Sequence, residues 1–456
     1  MRRSYGLTLA ALGFVAMAFM ACRYTTSLDE YSAGGDGFGG STGEGGSAGQ
    51  GGGGGVAGAT GGGAGQAGSD GSVPDVDASN PDADAAKQDG DSAPPLDACP
   101  DGQPNCGNCT IGRLDCDDNT ANGCETDGTI DLKNCGACDH DCLGGLCKGG
   151  TCQPLELATG QPMSWGIAVD ATRVYWSNQA NGEIRSVPLN GGTSAALATG
   201  QNNPGDVVID TQYVYWTNFS SGGAVMRVAK DGTAGSLKQI SSGTGPWSLT
   251  VDDANAWFTN SDGTIRQVAK AGGSWTTVIT GALNPKGITS DTTLLFWLET
   301  DAGKVLKGPK SNPASGKVEL ATGQKKPLSV VVSASDVYWV SPGTYEYGQC
   351  TAADGAVMKI AKTGGTPVVL ASGQACPVDL AVDGTHVYFT NEGTFASGVY
   401  QYDGAVMRVK VTGGQPEAVL VGPVVPYGIA VDTSAVYWTA QGLGGNAGTV
   451  VKLVKE

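Results

Sequence analysis

Two histidines, thirteen cysteines and a thin scatter of acids carry most of the chemistry available to this 456-residue chain. His140 lies in a cysteine-rich stretch and His386 in a turn between two strand-like runs, so no Ser–His–acid set or histidine ligand cluster can converge. Carboxylates alone can hold calcium beside a substrate. Glu299, Asp262 and Asp301 are the acids expected on the face that carries the long loops. A calcium-assisted lyase or hydrolase is therefore the enzymatic alternative, but no catalytic residue is assigned and no cofactor beyond that calcium is expected.

Ten cysteines fall within residues 99–152: Cys99, Cys106, Cys109, Cys116, Cys124, Cys135, Cys138, Cys142, Cys147 and Cys152. An even count in so short a stretch, behind an export signal, reads as a disulfide framework whose connectivity the spacing leaves open. Cys106-Gly-Asn-Cys109 and Cys135-Gly-Ala-Cys138 also have zinc-ribbon spacing, the minority reading in an oxidising compartment. Asp115, Asp117 and Asn119, with Gly123 and Glu125, resemble a calcium loop, although the glycine comes late and Thr126 stands where a closing Glu belongs. Cys350 and Cys376 lie in two connections that should emerge on one face, and a bridge between them is expected to brace a long loop.

A third set is aromatic. Trp165, Trp247 and Tyr427, with Lys286, hold one equivalent position in four repeats, where they should ring the mouth of a central channel. They could stack on a sugar or grip a peptide, or simply plug the channel. Two insertions, 341–354 and 392–403, bring Tyr345, Tyr347, Tyr400 and Tyr402 to the same face. Loops on a rigid scaffold are where binding residues concentrate.

These positions are defined by a repeat. An aromatic pair ends at Trp176, Trp216, Phe258, Trp297, Trp339, Phe389 and Trp438. Six residues upstream stands an Asp, or Ser333 in the fifth copy, and six before that a Pro in every copy but the first. Copies recur every 39 to 50 residues, a propeller period. Each reads as four strands: an apolar run, an Asp turn, the aromatic strand, an alternating strand, a Gly turn and a last strand. Large aromatics at a fixed strand position should wedge between blades. The last copy stops after its third strand, and Leu155-Glu-Leu-Ala-Thr-Gly160 matches the missing fourth. The expected fold is all-β: a seven-bladed propeller over 154–456, closed by strands from both ends and leaving no exposed sheet edge.

Tyr175-Trp-Ser-Asn178, Tyr215-Trp-Thr-Asn218 and Tyr437-Trp-Thr439 give this block its resemblance to the YWTD propellers of low-density-lipoprotein-receptor type and their bacterial relatives. Those have six blades and an Asp in fourth place, where Asn mostly stands here, so their ligand choice does not carry over. Asn122-Gly-Cys-Glu-Thr-Asp127 with Asn134-Cys-Gly-Ala-Cys138 resembles a small module of bacterial secreted proteins that implies no function.

Ahead of the folded parts, Arg2-Arg3 and an apolar run from about Leu7 to Ala21 read as an export signal. Phe19-Met-Ala-Cys22 resembles a degenerate lipobox, which makes Cys22 the expected lipidated residue of a mature lipoprotein following a 1–22 signal. Residues 23–98 pass from Gly/Ser to Asp/Pro with almost no large apolar side chains and read as a disordered linker. From residue 33 onward such a tether spans roughly 45 Å on average. The net charge of −17 sits mostly in this linker and in the Cys-rich module, 99–153, leaving the propeller near neutral. No basic cluster points to nucleic acid. The sequence thus supports a cell-envelope protein anchored by lipid (or, alternatively, fully secreted) whose propeller binds a protein or glycan without catalysis. An envelope scaffold is a further alternative.

Overall fold

The computed structural model describes residues 109–456 except 118, 120–122, 347–348, 402, 423–424, 443–446 and 456. The signal with Cys22, the linker 23–98, Cys99, Cys106, Tyr347 and Tyr402 lie outside the described residues.

Seven four-stranded antiparallel sheets form the propeller. In blade 1 the strands are A, Ser164–Val169; B, Arg173–Asn178; C, Glu183–Pro188; and D, Ala195–Ala198. Blade 7 takes Pro426–Val431, Ala435–Ala440 and Thr449–Val454 from the C-terminal end and completes itself with Leu155–Thr159, paired in register to the third of these. Both termini of the propeller therefore share one sheet, as the repeat implies.

Every strand B is buried almost completely, because its two aromatics face opposite neighbours. Trp176 of blade 1 packs with Tyr437 of blade 7, and Tyr175 with Trp216 of blade 2. The same pairing runs through Tyr215 and Phe258, Trp257 and Trp297, Phe296 and Trp339, Tyr338 and Phe389, and Tyr388 and Trp438. Seven pairs close the circle. The fourth motif residue, Asn rather than Asp, also has its reason here. Asn178 Oδ1 accepts the Trp176 indole N–H at 3.1 Å, while its amide donates to Gln161 Oε1 at 2.8 Å. Asn218 repeats the arrangement with Trp216 and Gln201. A carboxylate could accept the first bond but could not donate the second.

The recurring Asp shapes the A–B turn and staples adjacent blades. Asp170 Oδ1 accepts the N–H groups of Thr172 and Arg173, and Oδ2 accepts the Tyr175 hydroxyl at 3.0 Å. Lys230 of the next blade reaches that same Oδ2 at 2.8 Å and lies over the Tyr175 ring. Lys270–Asp210, Lys310–Asp252, Lys362–Asp291 and Lys455–Asp383 repeat the bridge. Where Ser333 replaces the Asp, Val411 stands at the lysine position of the following blade, so both partners change together.

Among the described residues, the Cys-rich module holds four bridges: Cys109–Cys124, Cys116–Cys138, Cys135–Cys147 and Cys142–Cys152. The two cysteines of Cys135-Gly-Ala-Cys138 thus bond to different partners. This corrects the zinc alternative, since ligation needs thiolates and these sulfurs are spent on one another. The module docks at the lower end of the closing blade. Val454 packs on its buried cystines, and the buried Lys452 ammonium donates to the Leu143 and Leu189 carbonyls, each at 3.0 Å.

The staples make an acid-stability prediction. Burial pushes Asp210 upward, but Lys270 and the turn N–H groups outweigh it and hold the carboxyl down at about 2. Its stabilisation is therefore full above the unfolded value near 4 and is lost as pH falls towards 2. Lys270→Met should cost about 1–3 kcal/mol at pH 7 by leaving a half-buried carboxylate unpaired. Urea midpoints of variant and wild type should converge towards pH 2; a constant gap from pH 7 to 2 would show that the bridge contributes nothing.

Candidate functional site

The site begins with a bulge. Strand A slips register just after its first residue in six blades, for example between Pro204 and Val207 and between Pro246 and Leu249. A bulge re-aims side chains, and here it brings two successive positions to the propeller axis. The upper position holds Trp165, Gly205, Trp247, Lys286, Leu328, Val378 and Tyr427; the one below holds Gly166, Asp206, Ser248, Gly287, Ser329, Asp379 and Gly428.

The upper ring is an aromatic cluster. The rings of Trp165 and Tyr427 are 4.1 Å apart, and Trp165 meets Trp247 edge-on at 5.9 Å. Lys286 Nζ lies 3.2 Å from the centre of the Trp247 ring. The structure thus brings Trp165, Trp247, Lys286 and Tyr427 together, and adds Phe219, whose ring is 5.0 Å from Trp247. Phe219 directly follows the four-residue motif of blade 2, a position the sequence analysis passed over. Tyr427 is only 8% exposed: it packs on Val378 and on the Cys350–Cys376 cystine, with Tyr345 and Leu328 alongside. It is therefore partly a structural plug.

Cys350 and Cys376 form a disulfide. It ties a hairpin, Tyr345–Glu346 with Gln349–Cys350, to the connection entering blade 6. A second hairpin, Phe395–Ala396 with Val399–Tyr400, rises from blade 6. Their bases match: Thr344 N–H and Oγ1 bond the Asp354 carboxylate at 2.6 and 2.8 Å, and Thr394 bonds Asp403 likewise at 2.7 Å. Two pinned arms thus flank the mouth.

Beneath the aromatics runs a cavity of about 240 Å³. Two carboxylates line it, Asp206 and Asp379, neither of them marked by the repeat. Asp206 Oδ2 accepts the Ser248 hydroxyl at 2.8 Å and the Leu249 N–H at 3.0 Å. Asp379 accepts the Ser329 hydroxyl at 2.7 Å and the Ile429 N–H at 3.0 Å. Each carboxylate ties its strand A to neighbouring strands. Burial pushes both acids up, and Asp379, with Asp206 nearby, reaches about 7. The acids expected to serve an enzyme stand elsewhere. Glu299 is 6% exposed at the fourth motif position of blade 4, opposite Pro285 and Lys304 in the sheet rather than on the cavity wall. Asp262 and Asp301 are held by Arg266 and Lys326, each at 2.7 Å. The available signal was the residue one place after the mouth position, which reads as Asp in blades 2 and 6.

In the module, one carboxylate oxygen each from Asp115, Asp117 and Glu125 lie within 4.8 Å of one another. Asp117 accepts the Asn119 N–H at 3.0 Å and Glu125 the Cys116 N–H at 2.9 Å, so both also cap their own loop. These oxygens suit a hard cation such as calcium, with Asn119 contributing to the loop's shape.

Asp379 carries its own pH signature. Its folded pKa lies above the ordinary 3.8, so its contribution to stability is present below about pH 4 and is lost as pH rises through 7. Asp379→Asn keeps a hydrogen-bonding side chain without the charge. It should raise the melting temperature at pH 8 and change it little at pH 4. An identical shift at both values would place the charge outside the cavity's energetics.

No family model and no curated protein matches the chain. Among solved structures, virginiamycin B lyase from Staphylococcus aureus superposes with a TM-score of 0.52 at 17% identity, over 67% of this chain and 99% of its own. A streptogramin B lyase gives 0.51 at 13% identity, over 66% and 97%. A chain from a nidogen/laminin complex gives 0.42 at 18% identity, over 53% and 90%. At such identities the likeness to the lyases is one of fold, and the fold is a seven-bladed β-propeller.

Proposed function

We propose that this chain is a non-catalytic recognition protein of the cell envelope. It is exported, lipidated at Cys22 and carried on the 23–98 tether, and it binds a protein or glycan at the upper mouth of the propeller. The observation that supports this most is the aromatic cluster. Four blades send Trp165, Phe219, Trp247 and Tyr427 to one point beside Lys286. Two pinned hairpins flank that point, and the Cys-rich module docks at the opposite end. Rigid aromatic anchors in a recessed centre are the groups that carry most binding energy.

The enzymatic alternative, a calcium-assisted lyase or hydrolase, has one observation in its favour: Asp206 and Asp379 face the channel. Both, however, already accept bonds from serine hydroxyls and backbone N–H groups of adjacent blades. That is the work of a brace between strands. Likeness to the lyases at 13–17% identity brings no activity with it.

The full chain, immobilised as bait, should retain a saturable ligand from envelope extract or a glycan array, with and without calcium. Trp247→Ala should weaken capture at least tenfold while leaving the melting temperature within a few degrees. Full capture by the folded variant would move the site away from the mouth. Loss of binding on chelation would instead favour calcium at Asp115, Asp117 and Glu125. Separately, Cys22→Ser should release the protein from membranes, and continued retention would rule out the lipid anchor.

A further inference from the structure

Lys286 is out of keeping with the other lysines of the propeller. Among the described residues, every other lysine that is not solvent-exposed ends on an oxygen. Lys230, Lys270, Lys310, Lys362 and Lys455 meet carboxylates. Lys307, Lys359 and Lys452 meet backbone carbonyls. Lys286 is half-buried at the mouth and has only the faces of Trp247 and Phe219, 3.2 and 5.9 Å from its Nζ. The carboxylate that acts on it through space, Asp301, is already paired with Lys326 at 2.7 Å. Burial without a counter-ion lowers its pKa to about 7. A half-buried ammonium is costly unless paired, and an aromatic face offsets only part of that cost.

The surroundings restrict what could pair with it. Below the mouth the wall holds Asp206 and Asp379, which offer acceptor oxygens already engaged by serine hydroxyls and backbone N–H groups, so Lys286 is the group that would meet an anion. The cavity below is lined by Trp165, Trp247 and Tyr427 but not by Lys286, so a partner for the lysine sits at the upper rim. Beside the lysine lies the ring face of Trp247, with Trp165 edge-on to that ring, and an indole face suits the C–H face of a pyranose. One uronic acid residue presents such a face and a carboxylate on the same ring; a peptide would need two side chains held at the right separation.

We propose that the mouth takes an acidic sugar: a uronate ring stacked on the Trp247 face, with Trp165 at its side and its carboxylate on Lys286 Nζ. The proposal rests on the recognition reading above and names its ligand class. The lysine stem is flexible, so its ammonium gives up the Trp247 face to the carboxylate, and the freed face receives the sugar. The ion pair supplies selectivity and the indoles supply contact area.

The test uses the full chain and matched probes: the methyl glycosides of glucuronate and galacturonate against those of glucose and galactose, followed by tryptophan fluorescence and calorimetric titration at pH 6. At least one uronide should bind ten or more times tighter than its neutral counterpart. Lys286→Met should erase that preference without lowering the melting temperature, and Lys286→Arg should retain much of it. Equal binding of charged and neutral probes, or a preference that survives Lys286→Met, overturns the acidic-sugar assignment while leaving recognition at the mouth intact. Failure of all four probes to bind folded protein also overturns it, and the bait experiment then decides separately whether the mouth recognises anything.

Discussion

The aromatic wedge between blades is the interaction on which the rest of the molecule depends. No helix layer covers these sheets, so each blade must bury its faces against its neighbours. Two adjacent aromatics on a strand point to opposite faces, and one blade can therefore serve both contacts with Tyr175 and Trp176 or their equivalents. A buried aromatic removes roughly 150–250 Å² from water, about 4–6 kcal/mol as an upper bound. Losing one partner of a part-buried Lys–Asp staple costs about 1–3 kcal/mol. Aromatic burial thus holds the ring together, while the Lys–Asp staples set how one blade sits on the next. Tyr437 against Trp176 makes the last contact, and the sheet shared by both ends locks it.

With the circle closed, strand A of every blade is brought to the axis, and its bulge decides what the axis sees. Small residues dominate the lower position, where Gly166, Gly287 and Gly428 let backbones approach closely. A Cβ at Gly428 would lie 2.3 Å from the Trp165 carbonyl oxygen. The two aspartates that do fit there bond across to neighbouring blades, so the channel's acidity is part of its bracing. The upper position is free of that crowding and can carry large aromatics and a lysine. Bracing residues and mouth-lining residues are thereby separated by a single step along the chain.

The Cys-rich module follows a different logic. It has too few apolar residues for a core of its own, and buried cystines take the place of one. Its docking on Lys452 and Val454 sets it at the end of the propeller opposite the mouth. The long hairpins, tied by Cys350–Cys376 and by matching Thr–Asp pairs, rise beside that mouth.

The sequence by itself determined the blade count, the closure and the strand order. Those follow from signals within about fifteen residues: a turn Asp, an aromatic pair six positions on, and a terminal run that repeats an internal strand. It also marked Trp165, Trp247, Lys286 and Tyr427 as one equivalent set. Tertiary structure alone decided what lies beyond that range. The Lys–Asp staples join residues 58 to 72 positions apart. The cystine pairings and the isolation of Lys286 likewise depend on how blades are turned against one another. So does the identity of the channel acids: a one-residue bulge turns Asp206 and Asp379 to the axis, and sheet register leaves Glu299 buried opposite Pro285 and Lys304. Periodicity reports which residues are equivalent, but only the packed ring determines what each one touches.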